Sequence, residues 1–128
     1  KEFAKKQLEG KYELVDFGTH GLDSVDYPDF VHPAASAVEN GDCEFGILFC
    51  GSANGVAMTA NKHAGIRAGL CWQTEIAELT RLHNNANMIC IPARYVTIAL
   101  AKEMIEKFMT TPFEGGRHQN RVNKITCN

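Results

Sequence analysis

A cysteine stands where an apolar segment of the chain meets a small, glycine-bounded loop. Residues 45–50 (FGILFC) are apolar throughout, and Gly51-Ser-Ala-Asn-Gly55 follows directly. The apolar run predicts a buried parallel strand, and the residues from Val56 onward have a helical composition. Backbone N–H groups at such a junction suit a bound anion or an oxyanion, and a helix start favours a thiolate. Cys50 is therefore either a reactive thiolate or an ordinary buried core thiol.

The loop after Cys50 matches neither of the two common phosphate-binding patterns. It lacks the GxGxxG spacing of dinucleotide-binding turns and the GxxxxGK[ST] spacing of P-loops, so a nucleotide site is poorly supported. Two interpretations stay open. The loop is a plain tight connection, or it is a cradle whose backbone N–H groups each contribute about 3–4 kcal/mol to a developing negative charge.

Charged and titratable side chains later in the chain offer further chemistry. His83 lies near the end of a predicted helix, where it is either a partner of the helix dipole or a general acid or base. Arg117 and Arg121, at helical spacing after two glycines, form either a solvated face or a clamp for phosphate. The histidines His20, His32 and His63 lie in no comparable context and are predicted to be ordinary surface or loop residues.

Length, composition and charge limit the classes of protein. The 128 residues argue for one domain, with 45% hydrophobic and 22% charged residues. A net charge of −2 makes nucleic acid an unlikely partner, and no apolar run approaches the roughly 20 residues of a membrane span. The five cysteines show no CxxC and no zinc-ligand spacing, and no signal peptide is visible. Reduced thiols in the cytoplasm are the best interpretation.

Strand patterns alternate with helix patterns, which predicts an α/β sandwich on a mostly parallel sheet. The predicted strands cover residues 12–17, 45–50, 65–72 and 88–92, with 45–50 as the central one. Predicted helices begin near Pro28, Val56, Thr74 and Ile98, and Thr74 is expected to cap its helix. Ligands bind such sheets beyond the carboxyl ends of the strands, and residues 50–55 and 72–74 occupy two of these ends.

Several segments together resemble one enzyme family, ribose-5-phosphate isomerase B. They are FGILFCGSANGVAMTANK (45–62), GIRAGL (65–70), LHNNAN (82–87) and EGGRHQNRV (114–122), preceded by DFGTH (16–20) and DYPD (26–29). The resemblance covers essentially the whole chain in unbroken order. It implies a Rossmann-like αβα sandwich and a homodimer or tetramer whose active site is shared between subunits. The implied reaction interconverts ribose 5-phosphate and ribulose 5-phosphate through an enediolate, without a metal or other cofactor.

The resemblance also implies a role for each site residue. Cys50 would be the base that moves a proton between C2 and C1, Ser52 would help to shuttle the hydroxyl proton, and His83 would assist opening of the furanose ring. One branch of the family has a glutamate base just after the loop; this chain has Val56 there, so it resembles the cysteine branch. The implied substrate-binding residues are Tyr27, Gly51, Ala53, Asn54, Gly55, Asn84, Arg94, Arg117, His118 and Arg121. Of these, the loop N–H groups would hold the enediolate oxygen, and the arginines with His118 would hold the phosphate.

One departure from the family and two alternative functions accompany this interpretation. The family opens with a strand and an Asp-His-Ala-Gly-like turn that would come before Lys1. A single domain over 1–128 with a gap in its sheet and an incomplete phosphate site is therefore expected. A six-carbon isomerase of the same family, acting on galactose 6-phosphate or allose 6-phosphate, is the nearest alternative. A non-catalytic flavodoxin-like binding module is the alternative from another class.

Overall fold

The computed structural model describes residues 1–127, which form helices and strands in the predicted alternation. In chain order the elements are α1 (Glu2–Leu8), α2 (Pro28–Glu39), β1 (Gly46–Cys50), α3 (Asn54–Ala60), β2 (Ala68–Leu70), α4 (Thr74–Leu82), β3 (Met88–Pro92), α5 (Ile98–Thr110) and α6 (Arg117–Asn123). The predicted α/β class is confirmed. No helix in this part of the chain has the length and apolar character needed to cross a membrane.

The strands pair in parallel in the order β1-β3-β2. Gly46 pairs with Met88 and Cys50 with Pro92, so β1 and β3 end at the same level. All of β3 is buried, as its continuous apolar run requires, and β3 is the central strand among residues 1–127. The central position expected for residues 45–50 is therefore wrong, because β1 lies at one edge of these three strands.

Helices cover both faces of the sheet and make it the middle of three layers. Successive side chains of a strand point to opposite faces. Accordingly, Ile89 and Ile91 belong to one buried cluster with residues of α1, α4 and α5, whereas Met88 and Cys90 belong to another with residues of α2 and α3. Burying each such side chain fully stabilises the fold by roughly 1.5–3 kcal/mol. The Rossmann-like sandwich is thus built on β3.

Residues 12–17 are not a strand, which corrects the prediction. They lie in an irregular segment with exposed apolar side chains, among them Val15 at 58% exposure. Charge contacts hold the segment instead. The Asp16 carboxylate is 3.0 Å from the ammonium groups of both Lys1 and Lys5, and it accepts the Gly18 N–H. A run of β-forming residues needs a partner strand, and within residues 1–127 this run has none.

The start of α4 and the length of β2 also differ from the predictions. Gln73 is the N-cap residue of α4, and the Thr74 hydroxyl donates to Glu103 of α5 at 3.2 Å rather than capping the helix. β2 is shorter than the predicted strand 65–72. Asparagine side chains, rather than a neighbouring strand, accept the backbone N–H groups at its start. The N–H groups of Arg67 and Ala68 donate to the side chains of Asn87 and Asn61, both at 2.8 Å.

Candidate active site

Cys50 is the last residue of β1 and is half-buried at the carboxyl end of the sheet. Its carbonyl accepts the Ala93 N–H at 2.9 Å, and the Gly51 carbonyl accepts the Arg94 N–H at 3.2 Å. These two bonds continue the β1–β3 pairing beyond the strands. The cysteine and the start of the loop are therefore fixed to the residues that follow β3.

The loop after Cys50 turns sharply into α3. Ala53 has a left-handed backbone (φ 63°), and the Ser52 hydroxyl accepts the Asn54 N–H at 3.3 Å. Within residues 1–127, the N–H groups of Gly51, Ser52, Ala53, Gly55 and Val56 donate no hydrogen bond to the protein. They are the donors that an anion at this turn would use.

Tyr27 and Arg94 flank the loop from two sides. A Cβ atom added at Gly55 would collide with the Tyr27 hydroxyl, and one added at Gly51 would lie 3.2 Å from Nε of Arg94. Because Gly55 has no side chain, the Tyr27 ring can pack directly against the backbone at this position. The structure brings together the predicted residues of this group, which we call the thiol half: Tyr27, Cys50, Gly51, Ser52, Ala53, Asn54, Gly55 and Arg94.

A second group of predicted residues surrounds the end of α4. His83 is the C-cap residue of that helix, and its ring stacks on the His118 ring with centroids 4.2 Å apart and planes at 12°. Glu114 lies beside both rings, since its Oε2 atom is 3.7 Å from Nε2 of His83 and 3.9 Å from Nε2 of His118. The Glu114 N–H donates to the Leu82 carbonyl at 3.0 Å, which ties this segment to α4.

Two glycines and a short helix give this group its form. Gly115 and Gly116 both have positive φ (74° and 56°), a backbone that side chains rarely adopt, and they turn the chain into α6. His118 and Val122 of α6 are buried, whereas Arg117 and Arg121 are exposed. We call His83, Asn84, Glu114, Arg117, His118 and Arg121 the arginine half.

A buried arginine braces the arginine half from below. Arg81 donates to the Thr111 carbonyl at 3.0 Å and to the Ala86 carbonyl at 2.6 Å. Its guanidinium also lies over the Phe45 ring, 4.9 Å from the centroid. Because Thr111 precedes Glu114 and Ala86 follows His83, one side chain holds both segments that carry the stacked histidines.

The His83–Glu114–His118 group has the residue types of a metal site but not the ring geometry. Its three ligand atoms lie within 4.8 Å of one another. However, an imidazole binds a metal in the plane of its ring. Two rings stacked at 12° cannot direct both lone pairs at one ion without turning. Burial and the neighbouring His83 lower the pKa of His118, against the opposing effect of Glu114. The group fits a proton and charge network better than a metal centre.

The two halves lie at opposite ends of the sheet. Cys50 pairs with Pro92 at the carboxyl end, whereas His83 precedes Met88, where β3 begins. α4 starts beyond the carboxyl end of β2 and runs back for nine residues, which is about 13 Å at the helical rise. Within one chain the structure therefore does not bring His83, Asn84, Arg117, His118 and Arg121 to Cys50.

Sequence reasoning did not single out Glu114 as a site residue. Its contacts with His83 and His118 require both the α4 cap and the turn at Gly115-Gly116. The one available signal was its position four residues before His118. That spacing brings a carboxylate and a histidine together only when the intervening backbone turns.

Comparison with known proteins places the chain in a family. Residues 1–125 match the family model for ribose/galactose isomerases. Ribose-5-phosphate isomerase B of Escherichia coli is 39% identical over 98% of this chain and 85% of the E. coli protein.

Solved structures agree in fold and sequence. Ribose-5-phosphate isomerase B of Clostridium thermocellum has a TM-score of 0.93 and 44% identity over 97% of this chain and 84% of that one. The Mycoplasma genitalium enzyme, solved with bound ribulose 5-phosphate, has a TM-score of 0.88 and 39% identity over 97% of this chain and 81% of that one. Matches at this identity and coverage define membership, and this chain belongs to the ribose/galactose isomerase family.

Proposed function

We propose that this protein is a ribose-5-phosphate isomerase that interconverts ribose 5-phosphate and ribulose 5-phosphate through an enediolate. The observation that carries the proposal is the arrangement of Cys50 beside a loop with free N–H donors, in a chain similar to an enzyme solved with ribulose 5-phosphate. The five unpaired cysteines support the expectation of a reducing compartment, the cytoplasm.

In this proposal Cys50 is the base that moves a proton between C2 and C1. Abstraction of a proton next to a carbonyl leaves negative charge on oxygen, and the free N–H groups of the loop Gly51–Gly55 stabilise it. The Ser52 hydroxyl, in the same turn, helps to move the hydroxyl proton of the sugar. Tyr27 lines the sugar site on one side of the loop, and Arg94, on the other side, adds to the phosphate contacts of Arg117 and Arg121.

The arginine half supplies the phosphate site and the acid or base for ring opening. Arg117 and Arg121 are exposed cations on one helix, suited to bidentate contact with a phosphate. His118 lies beside them, and Asn84 follows His83, which assists opening of the furanose. Phosphate binding contributes energy far from the reacting carbons, and that energy orients them over the thiol.

We propose further that the working enzyme is a homodimer, or a tetramer made of two such dimers, with each site formed between subunits. The separation of the two halves within one chain supports this proposal, since neither half has both a base for carbon chemistry and a phosphate clamp. A two-fold axis would place the thiol half of one subunit against the arginine half of its partner, twice.

We infer that Glu114 positions the His83 ring. A carboxylate near Nε2 favours the tautomer with its proton on that nitrogen, which leaves Nδ1 free to exchange a proton with the sugar. Replacing Glu114 by Gln should lower kcat by about 10- to 100-fold. This is part of the rate enhancement of about 10²–10⁴ that general acid–base catalysis supplies. The KM should change little.

Nitrogen NMR of labelled histidine provides the second measurement for Glu114. The Glu114→Gln variant should show a smaller excess of the Nε2–H tautomer at His83 than the parent. The matched Glu106→Gln variant, changed on the exposed side of α5, should resemble the parent in both measurements. A Glu114→Gln variant with unchanged kcat and an unchanged tautomer ratio would show that Glu114 does not position His83.

The substrate is tested by incubating the protein with ribose 5-phosphate and assaying ribulose 5-phosphate. Turnover is expected, and it should exceed turnover of galactose 6-phosphate and allose 6-phosphate in the same panel. A preference for the six-carbon phosphates would assign the alternative specificity within the family. Binding without any turnover would instead support the non-catalytic binding module.

A further inference from the structure

A second histidine cluster lies away from both halves of the proposed site. Nδ1 of His32, on α2, is 2.7 Å from Nε2 of His63, which follows α3. The other ring nitrogen of His63 is 3.3 Å from the carboxylate of Glu39, the last residue of α2. The proposed isomerase reaction uses none of these three residues, and the sequence alone predicted ordinary surface histidines here.

The two facing nitrogens share a hydrogen bond, so the His32 ring must carry its proton on Nε2 before both lone pairs can meet at one ion. The ring centroids are 5.0 Å apart and the ring planes are tilted by 47°, unlike the parallel stack of His83 and His118. With metal–nitrogen bonds of 2.0–2.1 Å and tetrahedral angles, two ligand nitrogens lie about 3.3 Å apart. Opening the pair from 2.7 Å to that separation requires only a small side-chain movement.

Glu39 fixes the orientation of the His63 ring. Its second carboxylate oxygen accepts the Gly65 N–H. A carboxylate beside Nδ1 leaves Nε2 of His63 as the acceptor nitrogen, facing His32. Metal-binding histidines are held in this way by a carboxylate on their other nitrogen. The His63 side chain is 16% exposed, while His32 is exposed to water.

We propose that His32 and His63 form a binding site for a divalent transition-metal ion, with Glu39 orienting His63 and water completing the coordination. Imidazole ligands select Zn²⁺, Ni²⁺, Cu²⁺ and Co²⁺ over Mg²⁺ and Ca²⁺. The bound ion links α2 to the turn after α3. These are the helices that begin next to Tyr27 and at the loop after Cys50, so the ion stabilises the support of the thiol half. This site is independent of the isomerase reaction.

The experiment is a titration of the protein with Ni²⁺, followed by calorimetry and by paramagnetic broadening of the histidine NMR signals. Broadening is expected at His32 and His63, with one ion bound per chain at that pair, and Mg²⁺ should produce neither effect. His32→Gln and His63→Gln should each remove this binding, and Glu39→Gln should weaken it about tenfold or more. The matched variant His83→Gln should keep it, which separates this site from the His83–Glu114–His118 group.

Two outcomes would overturn the proposal. One is Ni²⁺ binding that persists unchanged in both His32→Gln and His63→Gln. The other is the absence of broadening at these two histidines in the parent protein. Circular dichroism without metal checks that each variant is folded. Because His32 and His63 lie in different parts of the fold, one of the two variants still tests the proposal if the other is unfolded. Because the readouts involve no turnover, an inactive protein would not affect them.

Discussion

Cys50→Ala is expected to abolish detectable isomerisation while leaving binding of the sugar phosphate almost unchanged. The variant loses the proposed carbon base, and a positioned base contributes about 10²–10⁴ to the rate. It keeps the loop donors, because the Ala93 N–H bond to residue 50 and the Arg94 bond to Gly51 involve backbone atoms. The phosphate clamp is also kept, since Arg117 and Arg121 lie at the other end of the sheet.

The measurement combines kcat for ribose 5-phosphate with calorimetric binding of the same ligand. Cys43→Ala is the matched control, because Cys43 is another half-buried thiol packed against the same cluster as Cys50 but lies before β1. It should retain full turnover. If Cys50→Ala turned over like the parent, the base would lie elsewhere. If it lost binding as well as turnover, the thiol would be needed to hold the loop rather than to move a proton.

The sequence predicted those elements of the fold whose signals are local. Every residue of the MICIP run of β3 is apolar, so the strand must be buried on both faces. Its bounds were predicted correctly. Residues 12–17 carry similar β-forming residues but end in an irregular segment tied by Asp16. Strand formation depends on a partner, and the presence of a partner is not a local property of the sequence.

The relative positions of the site residues could not be predicted from local sequence either. Sequence reasoning proposed His83 and Cys50 separately, from a helix end and a strand end. Their relative placement depends on the direction in which α4 runs back along the sheet, which only the tertiary structure gives. The His32–His63 pair was missed for a related reason, since His32 lies on α2 and His63 in the turn after α3, 31 positions later in the sequence.

A complementation experiment between two inactive variants is expected to restore activity. In a dimer with sites formed between subunits, Cys50→Ala disables the thiol half of one chain and His83→Ala the arginine half of another. A mixed dimer then has one site with both defects and one intact site. If subunits exchange at random, half of the dimers are mixed, so about one quarter of the parent activity should return.

The choice of control makes this result specific to the proposed geometry. A mixture of His83→Ala with Arg117→Ala joins two defects of the same half, so each site of the mixed dimer carries one of them and no activity should return. Recovery in the first mixture alone would require that Cys50 and His83 act in one site from different chains. Absence of recovery in both, with exchange verified by native mass spectrometry, would place the two residues of each site in one chain. That outcome would require α4 or the Cys50 loop to move by about the length of the strand between them, roughly 13 Å for five residues.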